Sequence, residues 1–194
     1  MSANGRQLVG ALSANVGRGD WMQTFTGKAF FPFAPNEDDI DILDIAHSLA
    51  MQCRYNGHTQ VFYSVAEHCW ILSHEVSPEY ALWALLHDAP EAYISDMIRP
   101  IKRHMPAFVA LDDHLTAVIA RKFGLAGIEI PAEVKEADTR ILLDERAQLH
   151  RTPPQEWDIA LDPLGVDIAA WSPVEAKSRY LHRFHQLTDG RFLA

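Results

Sequence analysis

The period of the hydrophobic positions changes several times along the chain, and each change marks an element. Residues 1–20 are rich in Gly, Ser and Asn, show no period, and read as a loose arm. Residues 21–35 place β-prone side chains such as Trp21, Thr24, Phe25 and Phe30 around Gly27, which predicts a small hairpin. The acidic stretch Asn36–Asp44 leads into a first helix over roughly 44–53. Residues 56–63 form a second short extended run with Gln60-Val-Phe-Tyr63 as its core. Ser64-Val-Ala-Glu67 has the form of a capping box, and Val65, Cys69, Leu72 and Val76 then recur at helical spacing as a buried stripe. His68 falls on the same inward side.

Ser77-Pro78 starts another helix, and Tyr80 to Leu86 is apolar all round, so that helix is buried on most sides. It ends in His87-Asp88. Pro106 and Pro131 open helices over roughly 106–123 and 131–150. Phe108, Leu111, Leu115, Val118 and Ile119 give the first its stripe, and Gly124 stops it. Val134, Asp138, Ile141, Leu142 and Glu145 share one face of the second, which turns Asp138 toward the core. Residues 151–172 are a Pro- and Asp-containing connection without period. Ser172-Pro-Val-Glu175 is another capping box, opening a last helix with Val174, Leu181, Phe184 and Leu187 inside. The expected class is all-α: a helical bundle with one or two small β-hairpins on the N-terminal side. Residues 1–35 make the arm and hairpin and 36–194 the bundle.

A chain of 194 residues with 48% hydrophobic content buries one sizeable core. The net charge of −9, with no basic run, argues against a partner nucleic acid held by its backbone. A small anionic substrate stays compatible, because a metal and a few cations reverse the local field. Cys53 and Cys69 form no Cys-x-x-Cys and read as reduced cytosolic thiols. The first residues lack the pattern of a signal peptide, and Ala81–Leu86 is far short of a membrane span, so a cytoplasmic location without membrane contact is expected.

Three inward-facing polar features remain: His68, His87-Asp88 and Asp138, each on or at the end of a separate predicted helix. Taken singly, each has a bland reading as a hydrogen-bonded core residue. Together each needs a partner of its own, since buried ionisable groups are costly unpaired. One divalent cation satisfies all four, and two imidazoles with two carboxylates suit Mn, Fe, Co, Ni or Zn. Glu91 lies four residues after His87 and three after Asp88, and Asp96 follows; a carboxylate beside a metal can act as general acid or base. Their bland reading is an acidic, solvated turn. Lys102 offers charge for a phosphate, although an exposed lysine is its default reading, and His58, in Asn-Gly-His-Thr, is a candidate to line the site that reads equally as a surface turn residue.

The series His68, His87-Asp88, Asp138 resembles the H…HD…D signature of the HD superfamily of metal-dependent phosphohydrolases. Ser64-Val-Ala-Glu-His68, Leu85-Leu-His-Asp-Ala-Pro-Glu-Ala-Tyr-Ile-Ser-Asp96 with Pro100 and Lys102, and Glu136-Ala-Asp138 are similar to segments of the small bacterial 5′-deoxynucleotidases. Trp21 to Tyr63 further resembles small bacterial and phage HD hydrolases, some of which deplete dATP. The motifs span roughly 54–145 and leave the arm and 151–172 uncovered.

The resemblance implies an HD-domain bundle with His68, His87, Asp88 and Asp138 as metal ligands and Glu91 as the catalytic carboxylate. Asp96 would meet the sugar or a second metal, with Mg an open alternative for that ion. Arg54 stands where the nucleotidases bind phosphate, and Tyr55 where they carry Trp against the substrate. It implies hydrolysis of a nucleotide, most readily the 5′-phosphate of a deoxynucleoside monophosphate. The alternatives are a deoxynucleoside triphosphate triphosphohydrolase and, without catalysis, a degenerate HD nucleotide-binding module. The nucleotidases are generally homo-oligomers, and Trp171, Phe192 and the N-terminal aromatics are candidates to cover an interface.

Overall fold

A computed structural model describes residues 18–125, 127, 129–155 and 157–192; the expected arm therefore lies outside the described residues as far as residue 17. The chain is mostly helical. In order it forms β1 (Met22–Gln23), β2 (Ala29–Phe30), α1 (Ile42–Met51), α2 (Val65–Glu75), α3 (Ala81–Leu86), α4 (Glu91–Ile94), α5 (Arg99–Lys102), α6 (Pro106–Phe123), α7 (Ala132–Leu149) and α8 (Pro173–Leu187). β1 and β2 pair antiparallel with Met22 opposite Phe30, which is the expected N-terminal hairpin. The expected extended run over 56–63 forms no strand: only an isolated antiparallel bridge joins Cys53 to Ser64. Tyr55, Asn56 and Gly57 adopt left-handed backbone with φ of 56°, 52° and 77°, and three such residues in a row cannot continue a strand.

The chain divides into two compact units, the first ending at Ser48 and resuming over Ala89–Glu129, the second comprising Leu49–Asp88 and the chain from Ile130. In the first, Asp44 accepts from both Thr26 N (2.7 Å) and Thr26 Oγ1 (2.9 Å) and so pins the hairpin turn to α1. Phe30 stacks on Tyr93 at 4.2 Å between centroids, and the Tyr93 hydroxyl accepts from Asp41 N at 3.2 Å. Leu111, Leu115, Val118 and Ile119 are buried along α6 as their spacing requires. Gly124, left-handed at φ 67°, caps α6 by donating to Ala120 O and Arg121 O.

In the second unit α2 is the hub, with α3, α7 and α8 packed on it. Its core joins Val65, Cys69 and Leu72 of α2 to Trp83, Leu85 and Leu86 of α3, Val134 and Ile141 of α7, and Tyr180 and Phe184 of α8. On α8 Phe184 is buried as expected, but Val174 is 81% exposed, Leu181 and Leu187 are half-buried, and Ala176 and Tyr180 complete the inside face. The Tyr180 hydroxyl donates to Leu85 O at 2.7 Å, so this ring is fully buried with its polar tip satisfied. Among the described residues no helix is long and apolar enough to cross a membrane.

Candidate metal centre

Ser64 caps α2 by accepting from Glu67 N at 3.1 Å. The expected reciprocal half of the capping box is absent, because the Glu67 carboxylate accepts instead from the backbone N–H groups of Ala169, Ala170 and Trp171 at 2.7–3.0 Å. The next residue, His68, sits about 100° further round the helix. Its Nδ1 donates to Glu145 Oε1 on α7 at 2.8 Å, and neither side chain has exposed surface. Asp138 lies two turns before Glu145 on the same face of α7. His87 follows α3 directly, and its Nδ1 donates to Ala84 O at 2.8 Å.

With each Nδ1 held against an obligate acceptor, both imidazoles turn Nε2 inward. His68 Nε2 lies 3.2 Å from Asp138 Oδ1 and 3.7 Å from Asp88 Oδ2; His87 Nε2 lies 3.2 Å from Asp88 Oδ2 and 3.9 Å from Asp138 Oδ1. Both Nε2 atoms are buried, and neither makes a well-formed hydrogen bond. In the neutral ring each Nε2 carries a lone pair facing carboxylate oxygens, so only a proton or a metal cation makes the contacts attractive. Charge favours the cation. Among the described residues in these contacts, Asp88, Asp138 and Glu145 bring three carboxylates to this cluster and Arg54 brings one guanidinium, a deficit of two positive charges. A divalent ion matches that deficit with one particle. Ligand atoms of His68, His87 and Asp138 lie within 4.8 Å of one another, and so do those of Cys69, His87 and Asp88; the cluster can hold a metal ion.

The protonation equilibria express the same demand for positive charge. Burial opposes a charged His87, but Asp88, the Cys69 thiol and Asp138 outweigh it and hold its pKa well above the usual histidine value. Burial likewise opposes charge on Asp88, yet His87 and His68 draw its pKa down to about 2. Asp138 is held well below the carboxylate range by the same two imidazoles, again against burial.

Arg54 stands beside the cluster and is already engaged. Its Nη2 donates to Glu145 Oε2 at 3.3 Å, its Nε lies 3.3 Å from Glu145 Oε1, and its Nη1 is 3.5 Å from Asp88 Oδ2. Against the cost of burial, Arg54 and then His68 draw the Glu145 pKa down to about 2. The Tyr55 hydroxyl also donates to Glu145, so the strained left-handed turn that carries Tyr55 is held by a buried charge. Tyr55 meets His150 edge-on at 4.6 Å between centroids.

His58 lines a cleft of about 580 Å³ with Arg146, His150, Arg151 and Trp157. Glu91 and Asp96 belong to the first unit: Glu91 opens α4, and both are half-buried. Lys102, also in that unit, donates to Asp112 at 2.8 Å. Of the aromatics expected at an interface, Trp171 lies against Trp70 and under the Arg179 guanidinium, and Phe192 lies against Phe184, whereas Trp21 and Phe25 are 58% and 55% exposed.

Glu145 and Cys69 were missed as site residues in the sequence. Glu145 showed only as a member of the α7 face. A buried carboxylate seven residues after a candidate ligand on one helix face was the available signal. Cys69 counted as a core thiol on the apolar stripe; its sequence adjacency to His68 gave no sign that it would approach the other histidine.

No protein-family model matches the chain. It is 37% identical over 175 residues to the uncharacterized protein YfdR of Escherichia coli K12, covering 88% of this chain and 97% of that one. It is 35% identical over 187 residues to an uncharacterized protein of Rhodobacter capsulatus, covering 86% and 95%. At such identity over nearly the whole of both chains, the protein belongs to the family of Escherichia coli YfdR.

Proposed function

We propose that this protein is a metal-dependent phosphohydrolase of the HD type that removes the 5′-phosphate from deoxynucleoside monophosphates. The observation that carries the reading is the pair of inward Nε2 atoms facing Asp88 and Asp138, with a charge deficit that a divalent ion meets. His68, His87, Asp88 and Asp138 hold the ion. The ligand types suit Mn, Fe, Co, Ni or Zn, and the approach of the Cys69 thiol favours the softer of these. The bound ion supplies Lewis acidity and a lowered pKa for water at neutral pH.

The chain's own groups do the rest. Glu145 keeps the His68 ring in the tautomer that offers Nε2 as a ligand. Arg54 steadies Glu145 and turns Nη1 toward Asp88, where it is the cation nearest to hand for a phosphate oxygen. Glu91 takes the proton-handling role on the strength of its motif, and Asp96 the sugar. Lys102 is a weaker phosphate ligand than its motif suggests, because Asp112 already holds its charge.

A second reading, triphosphate release from deoxynucleoside triphosphates, is favoured by one observation: the basic side chains along the cleft at His58. The deciding experiment offers equal dAMP and dATP with Mn, Co and Mg in turn. Inorganic phosphate from dAMP at the higher rate supports the nucleotidase. Inorganic triphosphate from dATP with dAMP untouched supports the second reading, and no turnover with any metal leaves a nucleotide-binding module.

A further inference from the structure

The cleft beside Tyr55 has a composition that the chain as a whole does not. In a protein of net charge −9, its walls carry Arg146, Arg151, His58 and His150, and among the described residues no carboxylate lines it. One wall is the turn after the left-handed residues and the other is the end of α7 with the following segment. Gln60 N donates to Leu149 O at 2.9 Å and ties the two walls together. Trp157 supplies a ring on the second wall. Its face lies 5.8 Å from the Arg146 guanidinium, and its ring is 5.8 Å from His150 and 6.1 Å from Tyr55. His150 Nε2 is buried and has no hydrogen-bond partner.

We propose that this cleft is a binding site for a nucleoside phosphate, distinct from the His/Asp cluster. Guanidinium groups select oxyanions and bind them by paired N–H donors, and Arg151 is exposed at the rim while Arg146 stands half-buried behind it. An indole beside a guanidinium takes the flat face of a base, which a bare inorganic anion does not offer. The site reaches the metal cluster by a continuous path: His150 abuts Tyr55, Tyr55 donates to Glu145, and Glu145 accepts from His68. The shared chemistry has two sources, the substrate itself extended into the cleft or a separate effector nucleotide.

The test is isothermal titration of the full-length protein with the 5′-phosphonate analogue of dAMP, which cannot be hydrolysed, and with inorganic phosphate alongside. The expected result is saturable binding of the analogue well above that of inorganic phosphate. Arg151→Ala and Trp157→Ala should each weaken it about tenfold or more with the helical circular dichroism unchanged. Two equivalents per chain identify a separate effector, and one equivalent whose weakening in Arg151→Ala is matched by a rise in the KM for dAMP identifies the substrate itself; either supports the site. Binding that is unmoved by both substitutions overturns the proposal. Failure of the hydrolysis reading shows separately, as absence of turnover with the binding intact.

Discussion

His68 Nδ1 donates to Glu145 Oε1 across 2.8 Å, with both side chains closed to solvent. A histidine held this way owes its ring angle and tautomer to the carboxylate behind it, and would offer Nε2 to the proposed ion. Glu145→Gln keeps the shape but removes the charge, and should lower metal affinity about 10- to 100-fold with the helical content intact. Competition with a chromophoric chelator measures this. Unchanged affinity would show that Glu145 serves only to neutralise Arg54. Glu145→Ala is a poorer probe, since it also removes the acceptor of His68 Nδ1 and leaves a cavity behind the ring.

The cluster itself predicts metal content. The purified protein should carry about one transition-metal ion per chain by elemental analysis. Asp88→Ala should lose most of it. Full occupancy in that variant would remove Asp88 from the ligand set.

Glu91 separates chemistry from metal binding. Glu91→Ala should retain the ion and the fold while phosphate release falls by about 10²- to 10⁴-fold. Turnover close to wild type would leave the proton with another group.

Glu67 carries a prediction about stability alone. Its carboxylate accepts three backbone N–H groups, and Glu67→Gln leaves one acceptor oxygen for them. The variant should lose about 1–3 kcal/mol. Calorimetry should show a Tm lower by about 2–4 °C for each kcal/mol. An unaltered Tm would mean that the connection is held by other contacts.

Helix starts and inward faces were legible in the sequence because they are local. Ser64, Pro78, Pro106, Gly124 and Ser172 mark their helix ends by chemistry that acts within a few residues, and Asp138 follows from the period of Val134 and Ile141. The illegible features depend on partners distant in sequence. Glu67 abandons its capping role for N–H groups more than 100 residues away, an exchange that no local pattern encodes. The left-handed run at Tyr55 breaks an otherwise plausible strand and is held by Glu145, 90 residues on. On α8, Tyr180 is buried with its hydroxyl on Leu85 O, 95 residues earlier, which the helical period alone does not reveal. Within the candidate site, the four candidate ligands were visible as residue types in inward positions, whereas Glu145 behind them and Cys69 beside them required the packing of α2 on α7 and α3.

The long connection before α8 is gripped by two carboxylates: Asp144 accepts from the N–H groups of Leu164, Gly165 and Val166 at 2.8–3.2 Å, and Glu67 from those of residues 169–171. Both grips read only peptide groups. Substitutions along this stretch leave the grips themselves intact, but proline is barred from those six positions, left-handed backbone at Gly165 (φ 82°) and Ala170 (φ 54°) restricts what stands there, and Trp171 is tied to Trp70 and Arg179. Away from those three residues the segment can drift in wording while its path stays fixed, because the two carboxylates hold backbone and not side chains.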